Sequence, residues 1–230
     1  MSGNGFSRQT LLDYAASERG AFETTLREIV EIPTISVDPA RREDCARGAD
    51  YAAALVRRMG GEATIIQTKG HPIVAGLFQR NASWPTVTVY NHLDVQPAER
   101  EDGWNTEPFQ FTSEDGRYFA RGTTDDKGPA MTALWGAKYA LDNGARVNVK
   151  LLWETEEEIG SPNFETTIRA EKERFATDSV IVSDTVWVSR ARPACPAGLR
   201  GLQGFRFTLE TGKTDQHSGT SGGAARNPIT

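Results

Sequence analysis

Cysteine, histidine and long apolar runs are scarce in this chain. It has two cysteines and three histidines among 230 residues. Cys45 and Cys195 lack CxxC spacing, so we expect free thiols in a reducing compartment, the cytoplasm, rather than a disulfide or a cysteine metal site. No apolar run approaches the roughly 20 residues that a membrane-spanning helix needs, and the first twenty residues lack the apolar core of a secretory signal.

An excess of positive charge is also absent. The chain carries 26 Lys and Arg against 31 Asp and Glu, a net charge of −5. Nucleic acids and anionic membrane surfaces are bound by basic faces. The charge balance therefore predicts neither a nucleic-acid partner nor a membrane partner, and the 38% of hydrophobic residues is typical of a globular protein.

Helical and extended patterns alternate along most of the chain. Apolar residues at helical spacing predict helices in residues 10–31, 42–59, 129–141 and 164–172. Short β-branched runs predict strands in residues 63–67, 73–79, 86–90, 147–153 and 179–183. The alternation predicts an α/β fold, with a mixed, mostly parallel sheet covered by helices on both faces. Residues 201–210 look like a strand that opens a new unit.

One histidine follows the predicted strand 86–90. His92 and Asp94 are two positions apart, so on an extended chain both face the same volume. Imidazole is a good zinc ligand, and a nearby carboxylate can fix its tautomer. By itself such a pair is more often a structural histidine with a polar neighbour.

Acidic residues follow or lie between the other predicted elements. Asp125 and Asp126 precede the helix at 129, the residues 154–158 include four glutamates, and Asp184 follows the last strand. Each group alone is also consistent with a solvated turn, an exposed acidic face or a cap. Ligands bind at the carboxyl ends of strands in open α/β sheets, so these groups are predicted to converge. Mixed nitrogen and oxygen ligands suit zinc, with manganese or cobalt as alternatives.

Six motifs then occur in an order and spacing that resemble the M20 metallopeptidases, most of all their dipeptidase branch. They are YNHLDVQPA, GWNTEPF, DGRYFARGTTDDKGP, ETEEEIGSPNF, IVSDTVW and DQHSGTSGG. The resemblance extends from about Leu11 to the end of the chain. It implies a zinc-exopeptidase-like catalytic domain that holds two divalent metal ions and hydrolyses small peptides.

The resemblance also implies roles for single residues. The metal ligands would be His92, Asp125, Glu158 and Asp184. Asp125 would bridge the two ions, and its peptide bond to Asp126 would be cis. Asp94 would orient His92, and Glu157 would be the general base. His217, on an inserted lid domain, would reach into the partner subunit's site and stabilise the oxyanion, which implies a homodimer formed through the lid.

The family pattern divides the chain into two parts. Residues 1–198 would be the amino-terminal portion of the catalytic domain, and residues 199–230 the beginning of a truncated α+β lid. The family takes a further histidine ligand from a later segment, and none of the three histidines here stands at that place. We therefore expect the 230-residue chain to be inactive by itself.

Three functions are consistent with these residues. The first is a dipeptidase, and the second is an N-acyl or N-carbamoyl amino acid amidohydrolase of the same family. The third is a non-catalytic metal-binding fragment.

Overall fold

The computed structural model describes residues 6–185, 187–189, 191–198 and 200–209. The helices are α1 (Arg8–Val30), α2 (Arg42–Arg58), α3 (Lys127–Asp142), α4 (Phe164–Ala170) and α5 (Lys172–Phe175). The strands are β1 (Glu62–Ile66), β2 (Ile73–Phe78), β3 (Thr86–His92), β4 (Thr112–Glu114), β5 (Arg117–Phe119), β6 (Asn148–Glu154) and β7 (Ser179–Val182). Single 3-10 turns lie at Pro39–Arg41, Arg100–Asp102 and Glu157–Ile159.

Five strands form one mixed sheet in the order β1-β2-β6-β3-β7. Strand β3 is parallel to both β6 and β7, whereas β2 is antiparallel to β1 and β6. In this register His92 pairs with Glu154, and Tyr90 pairs with Val182. The carboxyl ends of β3, β6 and β7 therefore meet at one edge of the sheet. Strands β4 and β5 form a separate hairpin.

Helices cover both faces of this sheet, as the alternation of patterns predicts. Val149, Leu151 and Trp153 of β6 belong to the buried core, which also contains residues of α1, α2 and α3. Successive side chains of a strand point to opposite faces. On the other face, Lys150 Nζ donates to the backbone oxygens of Arg174 and Ala176 at α5.

The sequence predicted the elements well, with local differences. The pattern at 10–31 corresponds to the single helix α1 (Arg8–Val30). The helix begins after Ser7, because the Ser7 hydroxyl accepts the backbone N–H of Thr10 at 3.0 Å. The helix predicted at 164–172 corresponds to α4, which ends at Ala170, and a second short helix, α5, begins at Lys172. The strand predicted at 201–210 is wrong for residues 201–209, which are exposed and have no regular secondary structure. Within the described ranges, no helix has the length and apolar character to cross a membrane.

Candidate metal centre

His92 is the last residue of β3, and its imidazole is almost completely buried. Nδ1 lies 3.0 Å from the backbone oxygen of Asp94 and 3.4 Å from its carboxylate, so Nδ1 carries the proton that is donated there. Nε2 faces the sheet edge. It lies 2.9 Å from Asp125 Oδ1, 3.8 Å from Asp184 Oδ2 and 3.9 Å from Glu157 Oε2.

The side chains of the adjacent residues Asp125 and Asp126 have different partners. Asp126 is buried, and its Oδ2 accepts the side-chain amide of Asn91 at 2.9 Å and the backbone N–H of His92 at 3.1 Å. Burial raises the pKa of Asp126 to about 7, although these hydrogen bonds lower it in part. The peptide bond between the two residues is cis, as the resemblance implies. Asp126 therefore attaches this loop to β3, and Asp125 faces the site.

The carboxylate of Asp94 holds the acidic loop after β6. Its two oxygens accept the backbone N–H groups of Glu157 and Glu158, each at 3.1 Å. The side-chain amide of Gln96 donates to Glu158 Oε2 at 2.8 Å. Residues of the loop after β3 thus fix both the backbone and one side chain of the neighbouring loop.

The other two glutamates of the acidic run are buried away from the imidazole. Glu154 accepts the Tyr90 hydroxyl at 2.6 Å. Glu156 accepts the backbone N–H of His71 at 2.8 Å and the side-chain amide of Asn163 at 2.9 and 3.1 Å. Because both side chains are buried and hydrogen-bonded, they are not part of an exposed acidic face.

Several polar residues at this edge were not predicted from the sequence. Three side-chain amides donate to acidic residues: Asn91 to Asp126, Gln96 to Glu158 and Asn163 to Glu156. The buried Lys127 donates to the backbone oxygen of Ile32. Asn91 and Gln96 lie within four positions of His92 in the motif YNHLDVQPA, which is the one signal that could have drawn attention to them.

The donor set fits a divalent cation. One potential ligand atom from each of His92, Asp125 and Asp184 lies within 4.8 Å of the other two. Among the described residues, His92 is the only side chain able to carry positive charge within 4.0 Å of these acids. An imidazole with several carboxylates, otherwise uncompensated, is a suitable environment for zinc or a similar ion.

The pKa values of the site residues are shifted in the directions expected for a site with excess negative charge. Burial lowers the pKa of His92, but the hydrogen bond and charge of Asp94, with Asp126 and Asp184, outweigh it and raise the pKa to about 10. Burial also raises the pKa values of Glu157 and Asp184, which His92 lowers only in part. One predicted ligand, Glu158, is not in the group around His92, because its carboxylate bonds to Gln96. His217 lies outside the described residues.

The chain belongs to peptidase family M20/M25/M40. The model of that family matches residues 88–204, a segment that contains every acidic residue discussed above together with His92.

Individual relatives are similar over nearly the whole chain. It is 36% identical to the Cys-Gly metallodipeptidase dug1 of Schizosaccharomyces pombe, over 97% of this chain and 50% of that protein. The structure of human carnosine dipeptidase 1 superimposes with a TM-score of 0.76 at 30% identity, over 96% of this chain and 50% of that one. The M20 family metallo-carboxypeptidase Sso-CP2 of Sulfolobus solfataricus superimposes with a TM-score of 0.65 at 40% identity, over 71% and 37%. The chain thus spans about half the length of the curated relatives it matches.

Proposed function

We propose that this chain forms the metal-binding part of a metal-dependent dipeptidase, which hydrolyses the amide bond of dipeptides or similar small peptides. The observation that carries the proposal is the group of His92, Asp125 and Asp184 at the carboxyl edge of the sheet, in a chain of a peptidase family. The names of relatives support the substrate class, since two of those compared are a metallodipeptidase and a carnosine dipeptidase.

The proposed site holds two divalent ions, zinc first, with manganese or cobalt as alternatives. His92, Asp125 and Asp184 would hold them together with Glu158, whose loop is attached to the same edge through Asp94. Bound ions of this kind polarise the scissile carbonyl and acidify a water molecule. Cytoplasmic location is part of the proposal, and the two free cysteines, one buried and one exposed, are consistent with it.

The side chains of the chain have separate roles in the proposed reaction. Asp94 orients His92, because its backbone oxygen accepts a hydrogen bond from Nδ1–H and its carboxylate lies 3.4 Å from Nδ1. The same carboxylate holds the backbone of Glu157. Glu157, whose carboxylate lies 3.9 Å from His92 Nε2, takes a proton from the attacking water and returns it to the leaving amine. His217 would stabilise the oxyanion in the partner subunit of a homodimer. The support for that role is the motif DQHSGTSGG alone.

The test is hydrolysis by the protein expressed from its complete gene. Metal would be removed with a chelator and restored as zinc, manganese or cobalt, and the substrates would be Cys-Gly, β-Ala-His and other dipeptides beside N-acetyl and N-carbamoyl amino acids. We expect metal-dependent release of amino acids from dipeptides. Faster turnover of the N-acyl or N-carbamoyl compounds would make the protein an amidohydrolase of those compounds instead of a dipeptidase. Metal binding without turnover of any compound would refute the proposal that the protein is an enzyme.

A further inference from the structure

A buried lysine joins the acidic loop before α3 to the end of α1. Lys127 is fully buried, and its Nζ donates to the backbone oxygens of Ile29 at 3.0 Å and Ile32 at 2.7 Å. In the described residues, the hydrogen-bond partners of this Nζ are these two backbone oxygens at and just after the end of α1. Carbonyl groups at a helix carboxyl end attract such a donor.

The same segment after α1 also holds the loop after β3. The hydroxyl of Thr34 donates to the backbone oxygen of Leu93, and the backbone N–H of Val95 donates to the backbone oxygen of Thr34 at 3.0 Å. We call residues 29–34 the brace. The brace thus contacts two loops: residues 93–95, which follow His92, and residues 122–128, which contain Asp125.

Lys127 is the first residue of α3, and its side chain packs against the loop that precedes the helix. A Cβ atom at Gly122 would lie 3.0 Å from Lys127 Cδ, so the lysine stem lies directly against the Gly122 backbone. The N–H of Gly128 donates to the Gly122 oxygen at 3.0 Å, which closes the loop around the stem. The position of the loop is therefore tied to the position of the lysine, and Asp125 lies between the two glycines.

We propose that Lys127 is a positioning residue of the metal site. It attaches residues 122–128 to the brace, which also holds residues 93–95. Together with the bonds of Asp126 to Asn91 and His92, this attachment sets the separation between Asp125 and His92. This inference rests on the proposed function, because it assigns Lys127 to the metal site formed by those two residues. Lys127 touches no metal ligand through its amine and acts only through the two loops.

The test compares two variants of α3 in the protein expressed from its complete gene. Lys127→Met keeps an apolar stem and removes both hydrogen bonds to the brace. Leu141→Ala is the control, since Leu141 is buried in the same helix, about 20 Å further along the axis at about 1.5 Å per residue. Zinc affinity of the folded protein is measured by competition with a chelator, and geometry by the visible spectrum of the cobalt-loaded protein.

We expect Lys127→Met to weaken zinc binding about tenfold or more, as loss of a group supporting a ligand does. The cobalt spectrum should change with it. Leu141→Ala should lower the urea midpoint but keep zinc affinity within about threefold and leave the spectrum unchanged. Equal effects of the two variants on zinc affinity, or no effect of Lys127→Met, would overturn the inference.

Amide hydrogen exchange separates this inference from the proposed function. If the unmodified protein binds no metal, the proposed function fails, and the brace is judged by exchange alone. Lys127→Met should then accelerate exchange in both 93–95 and 122–128 relative to the rest of the sheet, and Leu141→Ala should not. Acceleration that is uniform over the protein, or confined to α3, would show that Lys127 only stabilises the fold.

Discussion

The backbone N–H of Glu157 donates to Asp94 Oδ1 at 3.1 Å, which joins the loop after β6 to the loop after β3. The other oxygen of Asp94 accepts the N–H of Glu158 at the same distance. The carboxylate also lies 3.4 Å from Nδ1 of His92. One buried carboxylate thus supports both the imidazole and the two glutamates, whereas the sequence resemblance assigns it only to the imidazole.

The first prediction concerns Asp94→Asn. The amide has one acceptor oxygen for two backbone N–H groups, and its NH₂ group would face the second N–H. Loss of one buried acceptor should lower the free energy of unfolding by about 1–3 kcal/mol. Urea unfolding of the metal-free protein measures this loss. Asp50→Asn, at an exposed position of α2, is the matched control and should unfold like the unmodified protein.

The second prediction separates the two adjacent glutamates in the protein expressed from its complete gene. Glu157→Ala should abolish turnover and leave the metal content nearly intact, because a general base moves a proton. Glu158→Ala should lose metal, because a ligand balances the charge of the cation. Elemental analysis beside a dipeptide assay distinguishes them. The reverse pattern would move both assignments by one residue.

The clustering of site residues at the carboxyl ends of the strands could be predicted, because it depends on local sequence. His92, Glu157 and Asp184 each follow an apolar strand, and the carboxyl ends of parallel strands meet at one edge. The contacts between loops could not be predicted in this way. Glu156 is buried because the His71 segment, far away in sequence, donates a hydrogen bond to it.

The strand predicted at 201–210 shows a different limit. Phe205, Phe207 and Leu209 alternate with other residues, which is the pattern of a half-buried strand. A strand also needs a partner for its backbone hydrogen bonds and an apolar surface to cover it. In the described residues these three side chains are exposed, and the alternation alone does not produce a strand.

The third prediction compares two glycines of α3. A Cβ atom at Gly128 would lie 2.0 Å from the backbone oxygen of Thr123, whereas nothing lies within 4 Å of one at Gly136. Gly128→Ala should therefore displace the loop that carries Asp125, lower stability and weaken metal binding. Gly136→Ala should raise the free energy of unfolding by about 0.4–1 kcal/mol, since alanine favours the helix. Thermal unfolding that ranked Gly128→Ala as the more stable variant would contradict this packing.

The fourth prediction concerns the two thiols. Cys45 is buried, and burial together with the charge of Asp94 raises its pKa to about 12. At pH 8 it is therefore almost entirely a protonated thiol, which reacts slowly as a nucleophile, and its burial also shields it from the reagent. Cys195 is exposed. A disulfide reagent should titrate one thiol in the native protein and two in denaturant, and the Cys195→Ser variant should show none until it unfolds. Two thiols that react natively at equal rates would contradict the buried position of Cys45.

The last prediction concerns the 230-residue chain expressed alone. Strand β7 lies at the edge of the described sheet, and its Val180, Ile181 and Val182 are between 52% and 57% exposed. Open strand edges and exposed apolar patches promote association. The described site also offers only one histidine to the group around Asp125 and Asp184, so its hold on two ions should be weak.

We therefore expect this chain to self-associate, to bind a hydrophobic dye, and to hydrolyse no dipeptide when zinc, manganese or cobalt is added. Light scattering, dye fluorescence and a dipeptide assay measure the three properties. A triple variant of β7 tests whether this strand causes the association: Val180→Thr, Ile181→Thr and Val182→Thr. Threonine keeps the strand β-branched, so association should decrease if β7 is the cause. Metal-dependent turnover that Glu157→Ala removes would show that these residues already make a complete site, and the account of weak metal binding would then be wrong.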